Sequence, residues 1–505
     1  MITELSQKQS LRPLILVSIM LAMFMSAIEA TIVTTALPSI AAELGGFSLY
    51  SWVFAVYLFM QAVTVPIYGK LADLYGRKPV FTFGVICFLI GSILCGFAPN
   101  MLLLIVFRFI QGLGAGAVQP IAITIIGDIY SMEERGKIQG YLASVWGFSA
   151  IIGPTLGGFL VEYINWSWVF WINIPIGIIA LCGILVFLKE DFEKKKHKID
   201  YIGTILLVVF ISALMILLLR GGVTWPWLSG PVFLIVFLTA FAFVLFMLQE
   251  KTTEEPIMPM WIWKYRLILV ANVVSLITGI LLMGISNFLP TFVQGVMERS
   301  PKEAGFVLAL MSIGWPIAST IASKTMIKFG FQNVARFGTV FLILGSSLFL
   351  FINQQNGVIF GGIGAFLIGI GMGLTSTIFT VSIQSSVEWN NRGVVTASNM
   401  FMRMMGTTIG ASLFGGIINT RMIQYLEKVQ LSEEIDLNLD LTNHILDPEK
   451  RKELSSGVVQ ALQDGLTFSL HTVYTIVFVL AIISFILVNY MPKAPQYNST
   501  KVTNR

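Results

Sequence analysis

Gly69-Lys70-Leu71-Ala72-Asp73-Leu74-Tyr75-Gly76-Arg77-Lys78 lies between two long apolar runs, and its reading decides the fold. Charged side chains beside membrane-length helices are expensive in hydrocarbon, so such a cluster marks a loop at the membrane surface or a working site. The spacing predicts a loop that follows a helix ending at Tyr68 and precedes one starting near Pro79. Gly69 and Gly76 allow two helices and a tight turn to approach closely. Asp73, Arg77 and Lys78 can then pair across the cytoplasmic face.

The rest of the chain agrees with a lipid setting. Of its 505 residues, 56% are hydrophobic and only 12% charged, with a mean hydropathy of +0.82. A soluble chain carries about 25% charged residues. The missing charge is explained by repeated apolar stretches of about 20 residues, each long enough to cross ~30 Å of hydrocarbon. An all-α polytopic membrane protein follows. The net charge of +5 implies no nucleic acid, because Lys and Arg concentrated in cytoplasmic loops produce it. Cys87, Cys95 and Cys182 all fall inside apolar runs without metal-ligand or disulfide spacing, and read as packing residues. The apolar run 14–36 is too long for a signal peptide and has no cleavage site.

Apolar spans are expected near 14–36, 50–68, 79–98, 101–122, 138–162 and 166–188, then near 201–219 and 231–249. Six more are expected near 267–293, 303–326, 335–353, 358–383, 394–418 and 467–490, about fourteen in all. Lys and Arg recur after the even-numbered spans, whereas the short loops after spans 1, 3, 5 and 11 have none. By the positive-inside rule both termini are cytoplasmic. The organisation reads as an N-terminal six-helix bundle over 1–188, and a basic linker with two accessory helices over 189–266. A C-terminal six-helix bundle over 267–490 and a cytoplasmic tail over 491–505 complete it. The stretch Ser323–Gly338, with Lys324, Lys328, Gly330 and Arg336, is a faint echo of the opening motif. The long polar connection over 421–466 lies outside, and reads as a solvated loop or as a lid or partner surface.

Three charges fall inside the spans. Glu29 stands about 22 Å along span 1 from its cytoplasmic end, at ~1.5 Å per residue. Arg108 enters from the opposite side, about 10 Å down span 4, so the two share a depth and can face one cavity. Burial disfavours the charged form of a carboxyl and a neighbouring Arg favours it, so a group caught between them can load and release a proton. A static ion pair locking two helices is the competing reading. Arg403 lies near the middle of span 13 without an acid in spans 9–14 to partner it. With Gln119, Trp146, Asn272 and Gln294 it is expected to line a substrate cavity. The run Gly153-Pro154-Thr155-Leu156-Gly157-Gly158 sits in span 5, where proline bends a helix and small residues allow close approach. Gly153, Pro154, Gly157 and Gly158 are therefore candidate gating positions, as are Gly69, Asp73, Gly76, Arg77 and Lys78, with Asp128 and Arg135 as possible partners.

Together these residues resemble the major facilitator superfamily, and within it the fourteen-span drug:proton antiporters. Gly69-x-x-x-Asp73-x-x-Gly76-Arg77-Lys78 is similar to the superfamily signature between spans 2 and 3. Arg108-x-x-Gln111-Gly112 resembles the proton-linked motif of span 4, and Gly153-Pro154-x-x-Gly157-Gly158 the antiporter motif of span 5. Glu29-Ala30-Thr31-Ile32-Val33 with Ala36-Leu37-Pro38 resembles the span 1 motif of the fourteen-span group. Trp166-x-Trp168-x-Phe170-x-x-Asn173-x-Pro175-x-Gly177 and Arg403-x-x-Gly406 fit that group too. Glu29 stands where Asp is usual, and Leu74 and Ser167 where Arg is frequent. The later spans also lack the extra acids of relatives that export divalent cations, which argues against such substrates.

The resemblance implies a secondary transporter in the cell membrane that exports amphipathic toxic compounds in exchange for protons, with Glu29 as proton carrier and Arg108 biasing its release. A dedicated exporter of one metabolite, peptide or lipid, or a sodium-coupled antiporter, is the alternative. No enzyme is expected. His197, His444 and His471 are too scattered for a metal or acid–base centre, and no phosphate-binding Gly-x4-Gly-Lys-Ser/Thr loop is present. Neither a cofactor nor an obligate protein partner is expected; the partners are the lipid bilayer, protons and a small amphipathic substrate.

Overall fold

The computed structural model describes residues 2–44, 50–190, 200–221, 225–226, 228–254, 256–299, 301–355, 357–428, 445, 451–452 and 454–493. The chain is helical almost throughout. The N-terminal helices are α1 (Ile2–Leu44), α2 (Tyr50–Tyr75), α3 (Arg77–Gly96), α4 (Met101–Ile129), α5 (Met132–Tyr163) and α6 (Asn173–Phe187). A pair follows, α7 (Tyr201–Arg220) and α8 (Gly230–Thr252). Then come α9 (Arg266–Ser286), α10 (Pro301–Phe329), α11 (Phe331–Leu350), α12 (Gly357–Ser385), α13 (Arg392–Leu426) and α14 (Ser456–Val488). In lipid every backbone group must bond internally, which makes the helix the form these apolar runs take. Polar residues mark the starts: Asn100 accepts from Leu103 N–H at 2.9 Å, Ser131 and Glu134 form a reciprocal capping box, and Asp200 accepts from Gly203 N–H at 2.8 Å.

One expectation is met in part and another is corrected. Among the described residues twelve helices are long and apolar enough to span a membrane, thirteen if the bent α5 is counted, rather than fourteen. α5 turns by 41° between Met132–Ala150 and Thr155–Tyr163, a break that brackets Gly153 and Pro154, where proline withholds a ladder hydrogen bond. α7 contributes a shorter apolar segment, Tyr201–Leu214 among the described residues. Second, the opening motif is not a ten-residue loop. α2 continues to Tyr75, α3 begins at Arg77, and Gly76 alone breaks them at φ 95° and ψ 157°. The helix persists because its charges find partners on neighbouring helices instead of water. The faint echo has the same build: Gly330, at φ 79° and ψ 161°, is the single residue between α10 and α11. Most of the long outer connection, 429–450 apart from Ile445, lies outside the described residues, as do 191–199 of the basic linker and 494–505 of the tail.

α4 packs against α2 and α3, and α12 against α10 and α11; α1 lies on α5 and α6, and α9 on α13. The N- and C-terminal helices meet along two seams, α2 on α13 and α5 on α10. Small residues set both. A methyl group added at Gly69 would come within 2.3 Å of Ala397 Cβ, and at Gly136 within 2.3 Å of Ser323 Cβ. Such approach is how membrane helices gain dispersion contacts where lipid offers no hydrophobic drive. α7 pairs with α8 and touches α2 and α13 on either side of one seam.

Candidate functional site

A cavity of about 380 Å³ opens between the N- and C-terminal helices, within the range of small-molecule sites. Gln119 of α4, Trp146 of α5 and Arg403 of α13 stand on its wall, where the sequence reading put them. Asn272 and Gln294 do not. Asn272 donates to Ser398 Oγ at 2.9 Å and accepts from Asn399 at 3.1 Å, joining α9 to α13. Gln294 belongs to the irregular turn Phe292–Val296, and its carbonyl accepts from Arg451 at 3.0 Å. The Arg403 guanidinium makes no hydrogen bond or ion pair among the described residues.

Beside the cavity, and sealed from it, lies the first ionic centre. Glu29 and Arg108 are both 0% exposed. The Glu29 carboxylate accepts from Arg108 Nη1 through one oxygen and from Asn173 Nδ2 through the other. Arg108 also donates from Nε to the Val53 carbonyl at 3.1 Å and from Nη1 to Gln111 Oε1 at 2.7 Å, and its guanidinium covers the Tyr57 ring at 4.1 Å. Gln111 in turn donates to Ser92 Oγ at 2.8 Å. The shared depth of Glu29 and Arg108 therefore makes a buried pair rather than two charges facing the cavity. Among the described residues satisfaction is incomplete: Arg108 Nη2 and the Tyr57 hydroxyl have no hydrogen-bond partner. Two residues beyond Glu29, Thr31 Oγ1 donates to the Ser149 carbonyl at 3.0 Å, and a methyl group at Gly153 would overlap that hydroxyl. The bend of α5 thus rests on α1 next to the carboxylate, while Trp146 and Ala150 of the same helix face the cavity. Gly157 is buried and Gly158 exposed, with nothing within 4 Å of an added methyl at the latter.

The second centre closes the end of the molecule that carries the basic turns. Asp73, near the end of α2, accepts from the backbone N–H of Gly393 (3.0 Å) and Val394 (2.8 Å), at the start of α13. Those amides are donors a helix leaves unpaired, so the carboxylate caps a helix 320 residues away in sequence. Arg77 pairs with Asp73 at 2.8 Å and with Asp128 at 3.0 Å, donates to the Trp389 carbonyl at 2.6 Å, and lies 3.7 Å over the Trp389 ring. Asp128 is held from the other side by Arg392 at 2.9 Å. Lys78 reaches the carbonyls of Leu185 (2.7 Å) and Leu188 (2.8 Å). Arg135 bonds the carbonyls of Tyr130 (3.0 Å) and Gly127 rather than an acid. The sequence reading missed Arg392, Trp389 and Glu190. Glu190 accepts from the N–H of Arg77 (2.7 Å) and of Lys78 (2.8 Å), capping α3. An acidic pair, Glu190-Asp191, shortly after an apolar run was its only signal.

No group of three or more His, Cys, Asp or Glu suited to a metal occurs among the described residues. The sequence model of the Major Facilitator Superfamily matches residues 19–411. The chain is 34% identical over 504 residues to "Multidrug resistance protein 3" of Bacillus subtilis (strain 168), covering 99% of this chain and 98% of that protein. It is likewise 34% identical over 489 residues to "Multidrug transporter protein MdtP" of the same organism, covering 92% and 90%. Among solved structures it is similar to the human organic anion transporter MFSD10, with a TM-score of 0.62 at 14% identity over 94% of this chain and 99% of that one. It is also similar to the proton:xylose symporter XylE, with a TM-score of 0.61 at 11% identity over 96% and 97%. These two show the shared fold. A match over most of the chain and relatives along its whole length lead to one conclusion: the protein belongs to the Major Facilitator Superfamily, and is a membrane transporter rather than an enzyme.

Proposed function

We propose that the protein exports amphipathic toxic compounds from the cell in exchange for protons, by alternating access. Residues 1–188 and 267–490 act as two six-helix bundles, 189–266 adds two accessory helices to make fourteen spans, and both termini are cytoplasmic. On that orientation the closed end of the structure faces the cytoplasm, since Lys70, Arg77, Lys78, Arg135 and Arg392 gather there.

The observation that carries the reading is the sealed carboxylate of Glu29, paired within the membrane to Arg108, whose Nη2 has no hydrogen-bond partner among the described residues. A pair kept only for packing has little reason to leave a guanidinium nitrogen unsatisfied in a dry site. Contact with Arg108 favours the carboxylate form of Glu29, and loss of that contact favours uptake of a proton. The Thr31–Ser149 bond and the Gly153 contact tie this change to α5, whose other face meets the substrate. Asp73, Arg77, Asp128 and Arg392 hold the cytoplasmic gate, and break when it opens.

The relatives named for multidrug resistance and transport support a similar range of substrates here. The test uses inside-out vesicles under an imposed pH gradient, to which amphipathic dyes are added. Collapse of the gradient that depends on the dye, and that Glu29→Gln abolishes, is the expected result. Collapse undiminished in Glu29→Gln removes Glu29 as proton carrier. Dye export that needs sodium and leaves the pH gradient intact removes proton coupling.

A further inference from the structure

The cavity has an unusual charge balance. Its wall carries one charged side chain, Arg403, and no acid. The stretches 267–297, 304–387 and 393–426, which supply the C-terminal side of the cavity, contain no Asp or Glu at all. The intramembrane acid on the other side, Glu29, is occupied by Arg108 and Asn173 and sealed from the cavity. The Arg403 guanidinium is thus left without a counter-ion among the described residues. A permanently charged guanidinium out of bulk water is costly unless something pairs with it.

From this we propose that the cavity takes amphipathic compounds that carry a carboxylate, with Arg403 as the counter-ion. The claim refines the substrate class of the export reading and rests on it, but not on how export is coupled. A guanidinium offers a planar fork of N–H donors that matches a carboxylate in two parallel hydrogen bonds, a stronger and more directional contact than a neutral pair makes. Around it the wall suits an apolar body. Met23, Met311, Met400 and Met404 present flexible thioethers that adapt to varied shapes. Trp146 and Trp315 present flat rings for an aromatic system. Gln119, Gln139, Ser312 and Thr380 supply neutral donors and acceptors for secondary polar groups. Zwitterions fit when their cationic end lies away from α13. A compound whose only charge is positive meets an unneutralised Arg403 and no carboxylate, so the wall disfavours it.

Acid–ester pairs test this directly, because esterification removes the negative charge and leaves the body. Purified full-length protein in detergent is titrated with rhodamine B and its ethyl ester, and with 1-pyrenebutyrate and its methyl ester, following dye fluorescence. Wild type should bind each acid about 10- to 100-fold more tightly than its ester, the range expected for hydrogen bonds to a charged group. Arg403→Gln should bind the neutral pyrene ester as wild type does, bind the cationic rhodamine ester at least as tightly, and lose the preference for the acids; Arg403→Lys should keep part of it. Unchanged binding of the pyrene ester shows that Arg403→Gln is folded with its cavity intact. Equal binding of acid and ester by wild type overturns the proposal, as does a preference that survives Arg403→Gln. Loss of both members of each pair in Arg403→Gln, with Arg403→Lys behaving likewise, makes Arg403 a shaping residue and also overturns it. So does failure of both pairs to bind wild type. Because the readout is binding, loss of the preference leaves proton-coupled export standing, and a Glu29→Gln defect in proton flux leaves the preference standing.

Discussion

Gly76 and Gly330 each stand alone between two helices, with φ of 95° and 79° and ψ of 157° and 161°, yet the side chains around them have little in common. Around Gly76, Arg77 bridges Asp73 and Asp128, Asp73 caps α13, and Glu190 caps α3. Around Gly330 the nearest atom an added methyl would meet is the Lys493 carbonyl, 3.7 Å away. There Gln332 donates to the Asn489 carbonyl at 2.9 Å, and among the described residues the Arg336 guanidinium reaches Asn333 alone, at 3.3 Å. Both backbones occupy a region open almost only to glycine, so the turn itself is set by the missing side chain. The lock is a separate property, added at one turn by carboxylates and guanidinium groups that reach helices distant in sequence.

The largest effect that would sharpen this contrast comes from Arg77→Ala. It takes the Arg77 charge from Asp73 and leaves Asp128 with Arg392, and breaking such a buried pair costs about 3–5 kcal/mol. Dye export should fall sharply and the thermal unfolding midpoint in detergent should drop. Arg336→Ala at the other turn should cost far less, because Arg336 is only half-buried and joins no ion pair among the described residues. Equal losses from the two would mean that both turns are locks.

Next in size are the glycines themselves. Gly330→Ala meets open space and should cost only the backbone strain of about 1–3 kcal/mol. Gly76→Ala bears a similar strain and must also displace Glu190, whose carboxylate oxygen lies 3.0 Å from the added methyl. A Gly76→Ala midpoint at or above that of Gly330→Ala would break the comparison. The smallest effect is Glu190→Gln, which leaves hydrogen-bonding capacity but takes a negative charge from the start of α3. A charge there is worth about 1 kcal/mol. A modest fall in the unfolding midpoint is expected, and the same fall measured in 1 M salt would show that charge is not its origin.

Much of the fold was legible because the bilayer imposes a single length on every crossing, and apolar runs report it. The motif residues around Gly76, the partnership of Glu29 with Arg108, and the exposure of Arg403 to a cavity all followed from rare charges in apolar surroundings. The errors share a cause. Asn272 looked like a ligand-facing polar group, but in a membrane interior a polar side chain equally serves to join two helices, here α9 and α13. The ten-residue loop shrank to one glycine, since charges that find partners across the fold do not force a helix to end. Arg392 counted only as a basic loop residue until Asp128 appeared beside it.

By itself the sequence determined that the chain lives in lipid, roughly where it crosses, and which few charges had to be accommodated inside, because each follows from the cost of moving a group from water into hydrocarbon. Only the tertiary structure decided which charge meets which. Asp73 finds the amides of Gly393 and Val394, Arg77 the ring of Trp389, and Glu29 the amide of Asn173, while Arg403 is left facing the cavity. Those choices depend on how closely helices distant in sequence can approach. That closeness is set by the small residues at their crossings and by packing in three dimensions, which no periodicity along one strand of sequence records.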